Sequence, residues 1–248
     1  MKDLNNFDLL RSSISLYLYP ELLKLDNKDK IDVSNIDKNK LQKYNIQLLS
    51  IGHVYNKIKR YDIFFSEFYP NNEDKISNAE ALDHHIHAYL EDLDRLRDKI
   101  IHFLQTLKKD LKIIAINKNE AGKSFDKAVK DVLKIFKQVS KYRVPHHHRG
   151  VQFLDSDLVD SSGMRTMIDN QEHIKQFLKP GALDIIKQKE IESFKKAKAN
   201  WVSLANKNKV QVFGFINELF GNISPLIFDY LNISSVKDLF GDVNKVKK

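Results

Sequence analysis

Leu82, Ile86, Tyr89, Leu93, Leu96, Ile100, Phe103, Leu107 and Leu111 recur at intervals of three and four residues. Side chains at that spacing share one face of a 3.6-residue helix, so the run predicts a long helix that buries one side. Ser77 or Asn78 is placed to cap it, with Glu80 in the first turn. A stripe of this length needs other helices to cover it. The expected fold is therefore all-α, a helical bundle with long antiparallel helices and an irregular segment around residues 145–170. Glycine and proline support this, because 8 Gly and 5 Pro among 248 residues are too few turn formers for a many-stranded fold.

The same spacing predicts helices on either side. Phe7 to Leu25 carries Leu9, Leu10, Ile14, Leu18, Leu22 and Leu23, with Pro20 expected to kink or restart the helix. Residues 26–40 read as a polar loop, and Asp37 is a cap for a helix from Lys38 to Tyr69. That helix has apolar positions at Leu41, Ile46, Leu49, Val54, Ile58, Tyr61, Phe64, Phe65 and Phe68. A break at Asn117 to Gly122 leads to a helix over Lys123 to Tyr142, which Pro145 ends. Gly150, Ser161, Ser162 and Gly163 suggest irregular backbone over residues 150–170, with a small hairpin near 150–160. Asp169 is expected to cap a helix running to Leu178. Further helices are expected over Asp184 to Ala205, Val210 to Phe220 and Ser224 to Phe240. The reading divides the chain into an N-terminal helical segment (1–75), a helical core (76–150) and a basic C-terminal helical segment (151–248).

Whole classes of chemistry are excluded by composition. There is no cysteine, hence no disulfide, thiolate metal site or cysteine nucleophile. The sequence MKDLNNFDLLRSS has no apolar core of signal-peptide length, and no run approaches the ~18 apolar residues of a membrane span. The cytoplasm is the expected compartment and no membrane is expected as a partner. The net charge is +8, and nearly all of the excess lies in residues 125–248. A polyanion would meet that half. The alternative is that the excess only keeps the chain soluble.

The segment SKYRVPHHHRG, residues 140–150, concentrates candidate chemistry. Arg143 and His148 stand in an R-x4-H arrangement, with His146, His147 and Arg149 beside them. Imidazole moves protons near neutral pH, and guanidinium presents a fixed fork to phosphate oxygens. Together they can cleave RNA without metal or cofactor. One histidine takes the proton of a ribose 2′-hydroxyl, which attacks the adjacent phosphate, while Arg143 stabilises the phosphorane. The plain alternative is that a histidine-rich helix end satisfies carbonyls and the helix dipole. On the preceding helix, Lys127, Lys130, Lys134, Lys137 and Lys141 recur at three, four, three and four residues. They form one basic face leading to Arg143, suited to a phosphate backbone or else simply solvated.

A long striped helix followed by a helix ending in R-x4-H resembles the HEPN superfamily over about residues 76–150, with the family motif falling on Arg143 and His148. Val144 follows the arginine where that family usually has a polar residue, and Pro145 lies inside the motif. The resemblance implies an all-α, usually dimeric protein: a metal-independent endoribonuclease, or an inactive RNA-binding relative, of toxin–antitoxin or phage-defence type. It implies RNA as ligand, a homodimer with Arg143 and His148 facing across a cleft, and a protein partner such as an antitoxin.

Other constellations compete with this reading. Asp94 and Asp98 are candidates to orient a catalytic histidine or Arg143; as part of the Glu91, Asp94, Arg95 and Asp98 set they also fit helix-stabilising ion pairs. His84 and His87 share a helix face with Glu91 one turn on, a spacing that would be half a metal site, although no metal is expected because nothing resembles H-E-x-x-H. His102 is expected to be packed and hydrogen-bonded. AGKS, residues 121–124, lacks the glycine that a phosphate loop needs at position 117, which is Asn, so nucleotide hydrolysis is excluded. The rival from another class is a non-enzymatic helical adaptor subunit of a larger complex.

Overall fold

Ser77 sets where the longest predicted stripe begins. In the computed structural model its hydroxyl accepts the Glu80 N–H at 3.2 Å, while the Glu80 carboxylate accepts the Ser77 N–H and hydroxyl, each at 2.8 Å. This reciprocal box satisfies amides that the first turn leaves without helical partners. The Ser77 amide, then its hydroxyl, hold the Glu80 carboxyl below its ordinary range.

The structure describes residues 5–22, 31–70, 75–114, 118–137 and 155–240. All regular structure among the described residues is helical, and none of it is strand. In chain order the helices are α1 (Asn6–Leu18), α2 (Lys38–Ile58), α3 (Tyr61–Glu67), α4 (Asn78–Ile114), α5 (Lys118–Ile135), α6 (Ser156–Asp169), α7 (Gln171–Ile174), α8 (Ala182–Leu231) and α9 (Val236–Phe240). Short 3-10 turns follow α1 at Pro20–Leu22 and α7 at Lys175–Phe177. No helix among the described residues is long and apolar enough to cross a membrane. The fold is all-α, and all nine stripe residues of α4 are buried.

The contacts divide the chain into two units, one from Met1–His53, Leu96–Ile135 and Gln211–Lys248, the other from Val54–Arg95 and Phe136–Val210. In the first unit, Phe7 packs on Phe220 at 4.8 Å between ring centroids, Phe220 on Phe103 at 5.8 Å, and Phe103 on the edge of Tyr44 at 6.0 Å. All four rings are fully buried. Each removes roughly 150–250 Å² from water, which makes this aromatic file a large apolar contribution to the unit. Polar contacts set the register. The Asn6 N–H donates to Asn217 Oδ1 at 2.8 Å, and Asn6 Nδ2 donates to the Asn217 carbonyl at 2.9 Å. Gly52 lets the Arg11 guanidinium lie against α2, where a Cβ would meet it at 2.7 Å. Ser13 and Tyr17 hydroxyls accept the N–H groups of Val236 and Ser234, each at 3.0 Å, and so tie the start of α9 to α1.

Asp110, at the far end of α4, accepts Lys43 Nζ at 2.6 Å and the Tyr44 hydroxyl at 2.7 Å. Burial acts to raise its carboxyl, but the hydrogen bonds from Lys43 and Tyr44 outweigh that and hold it below the ordinary range. Burial, with the neighbouring carboxylate, pushes the Tyr44 phenol up. A lowered folded-state value means that the stabilisation is present above the unfolded carboxylate value of about 4 and is lost as pH falls through the folded one. Asp110→Asn is therefore expected to cost about 1–2 kcal/mol near neutral pH, mostly through the Tyr44 bond because exposed Lys43 is screened, and less at pH 3. Urea unfolding at the two pH values measures this; equal losses at both would contradict it.

In the second unit Tyr61, Phe65 and Tyr89 form a triangle with centroids 5.0–5.8 Å apart, and Phe65 meets Trp201 at 6.1 Å. Trp201 Nε1 donates to Asp155 at 3.0 Å, and Asn208 donates to the Tyr89 hydroxyl at 3.1 Å. Burial pushes the Tyr89 phenol up to about 12, against the Asn208 hydrogen bond. Asp92, buried on α4, accepts the Tyr61 hydroxyl at 2.5 Å and pairs with Lys57 Nζ at 2.8 Å and Arg95 at 3.7 Å.

The structure corrects several expectations. Residues 156–169, expected to be irregular, form α6, because Asp155 caps it by accepting the N–H of Asp157 at 2.9 Å and of Leu158 at 3.4 Å. Residues 155–160 hold no hairpin strand. Asp169 closes α6 rather than opening a helix to Leu178, and its carboxylate takes Arg165 at 2.9 Å. The expected helix from Lys38 to Tyr69 is interrupted after Ile58, which sets Tyr61 in the core against Asp92. Ile46, Leu49 and Phe68, expected on its apolar side, are 57%, 48% and 54% exposed. Gly122 lies within α5 and is buried, so the helix starts at Lys118 instead of Lys123. The three expected C-terminal pieces are largely one helix, α8, which runs through Pro225 to Leu231. It begins after Gly181, whose φ of 79° is a conformation that favours glycine.

Candidate nucleic-acid interface

α5 owes its orientation to Phe125 and Val132, which are buried in the first unit. Lys127, Lys130 and Lys134 are consequently exposed. Lys137 is also exposed, and Lys141 lies outside the described residues. Not every charge here is basic. Asp126 pairs with Lys108 of α4, and Asp131 is half-buried.

Beside these lysines, α5 and the C-terminal part of α8 enclose an open groove of ≈ 380 Å³. Phe125, Leu219 and Ile223 form its buried floor, and the half-buried Phe215 adds a ring. Asp131, Glu218 and Asn222 bring polar groups to it, and Lys127 lines it as well. Sequence reasoning missed this groove. Asp131 and Glu218 are far apart in the chain, and each reads there as an ordinary solvated charge.

Arg143, His146, His147, His148 and Arg149 lie outside the described residues. The two candidate orienting carboxylates differ sharply. Asp94 is buried, whereas Asp98 is exposed and takes the Arg97 guanidinium at 2.8 and 3.0 Å. Glu91 pairs with Arg95 at 2.6 Å.

Histidines of α4 are placed as follows. His85 is half-buried, stacks on Phe64 at 6.1 Å and donates from Nε2 to the Phe68 carbonyl at 2.7 Å. His87 Nε2 lies 3.2 Å from Asp83, and His84 is exposed. Among the described residues no three potential metal ligands assemble. His102 is exposed rather than packed, because it falls on the solvent side of the α4 stripe, between Ile100 and Phe103.

No family model, no curated protein and no solved structure matches the chain.

Proposed function

We propose that this protein binds RNA through the lysines of α5 and cleaves it without metal at Arg143 and His148. The observation that carries the reading is the exposure of Lys127, Lys130 and Lys134 on a helix anchored by Phe125 and Val132. That helix leads, in sequence, to the arginine and histidines of residues 143–149. Exposed ammonium groups on one helix face neutralise successive phosphates and release counterions, which gives affinity without base specificity. The scissile step then falls to the downstream cluster. His148 takes the 2′-hydroxyl proton, the 2′-oxygen bonds to phosphorus, and the bond to the 5′-oxygen breaks. His146 or His147 returns a proton to that leaving oxygen, and Arg143 holds the phosphorane charge. In a homodimer of HEPN type the two copies of this cluster would share one cleft.

Lys130→Glu combined with Lys137→Glu tests the binding half. RNA affinity at moderate salt is expected to fall at least ~10-fold, and the slope of log affinity against log salt to become shallower by roughly two. The thermal midpoint should hardly move, since exposed lysines contribute little to folding. Fluorescence anisotropy with a labelled RNA reads both quantities. Unchanged affinity across the salt series would reduce the lysines to a solvated face. Digestion of total RNA in EDTA tests the cleavage half.

A further inference from the structure

The groove beside Lys127 carries chemistry that a lysine face does not need. Its floor of Phe125, Leu219 and Ile223 is apolar, and Phe215 offers a ring to stack against. Its polar groups include two carboxylates, Asp131 and Glu218, which repel phosphate. Whatever part of a polyanion enters must therefore be flat, uncharged and rich in hydrogen-bond donors. A nucleobase with an exocyclic amino group meets all three demands: its face stacks on an aromatic ring and its amino group donates to a carboxylate. The ≈ 380 Å³ lies within the roughly 300–1,000 Å³ of small-molecule sites. Lys127 lines the groove and belongs to the exposed lysines of α5, so a strand lying along them can turn one base in while its phosphate stays with the lysine.

We infer that this groove is a base-reading pocket that receives one splayed-out adenine, cytosine or guanine of single-stranded RNA and disfavours uracil. The inference rests on the RNA-binding reading of α5 and adds a specificity to it. Uracil has no amino group, and the one N3–H on its pairing edge is flanked by two carbonyl oxygens that repel a carboxylate.

The test pairs two measurements on the full chain. The first is anisotropy of labelled oligo(A), oligo(C) and oligo(U) RNA. The second is ligand-observed NMR of adenosine, cytidine and uridine, which carry no phosphate and so do not depend on the lysines. Wild type is expected to bind the A and C oligomers about tenfold more tightly than the U oligomer, the scale of one good side-chain–base pairing. Adenosine and cytidine should show saturation transfer and uridine little. Asp131→Asn with Glu218→Gln should bring the three oligomers to within about twofold of one another. Asn222→Trp, at an exposed position, should fill the groove and abolish nucleoside binding with an unchanged circular dichroism melt. Equal binding of all three oligomers, still lost in the Lys130→Glu, Lys137→Glu protein, would overturn the pocket and leave the lysine reading standing. Nucleoside binding without RNA binding would keep the pocket and overturn the lysine reading. Absence of both would overturn both.

Discussion

His148→Ala and Arg143→Ala are each expected to slow RNA cleavage at least ~100-fold, the lower end of what a positioned acid–base group or a charge-stabilising donor supplies. The product of the wild-type protein should end in a 2′,3′-cyclic phosphate, with a 5′-hydroxyl on the other fragment, because the attacking oxygen is the ribose 2′-hydroxyl. DNA of the same sequence lacks that hydroxyl and should survive. His146→Ala and His147→Ala must be assayed beside them, since the three histidines are consecutive in sequence and each carries an imidazole able to take the 2′-hydroxyl proton. Circular dichroism melts distinguish lost chemistry from lost structure. Intact RNA after incubation with micromolar wild-type protein, with and without divalent metal, would sink the cleavage reading. Cleavage that stops on adding EDTA would transfer the chemistry to a metal ion.

The largest effect on stability is expected at Asp92. Its carboxylate is buried, receives the Tyr61 hydroxyl at 2.5 Å and faces Lys57 at 2.8 Å. Burial, then the hydrogen bond to Asp92, push the Tyr61 phenol up, so it remains a donor across the physiological range. Asp92→Ala removes the acceptor and leaves a buried phenol and a half-exposed ammonium without it. We expect a loss of about 2–4 kcal/mol, below the upper range for broken buried pairs because Lys57 regains water. Tyr61→Phe keeps the ring packing and the Lys57 pair, and should cost about 1–2 kcal/mol. The double mutant should cost less than the two losses added, which is the signature of one shared interaction. Urea unfolding decides it, and an Asp92→Ala protein as stable as wild type would mean that the desolvation of the carboxylate cancels its bonds.

What the sequence made legible follows from how each element is stabilised. α4 was readable because its apolar stripe is uninterrupted and Ser77 and Glu80 announce its start. α6 was not, because only Leu158 and Ser161 are buried on it, too few to show a period, while its serines and Gly163 imitate a loop. The interruption at residues 59–60 has no glycine or proline to mark it; burial of Tyr61 against Asp92 decides it instead. α8 was cut short by opposite cues. Asn206 and Asn208 look like breakers, yet Asn208 is bound to Tyr89, and Pro225 sits between the buried Ile223 and Ile227, where packing outweighs the lost N–H. Of the candidate site, the lysines of α5 were legible from spacing. The groove was not, since it exists only where α5 meets a stretch of chain more than eighty residues away.

The Trp201 contact with Asp155 gives the molecule a built-in optical reporter. It is the chain's one tryptophan, its ring is 4% exposed, and its indole N–H is bound to the carboxylate that caps α6. Its emission accordingly reports on the second unit, to which Phe65 and Asp155 belong, with a native spectrum shifted to the blue and a red shift when that unit opens. The far-ultraviolet ellipticity, by contrast, sums helices from both units. Superimposed denaturation curves from the two signals would report one cooperative transition, whereas an emission curve that separates from the ellipticity would report units that melt independently.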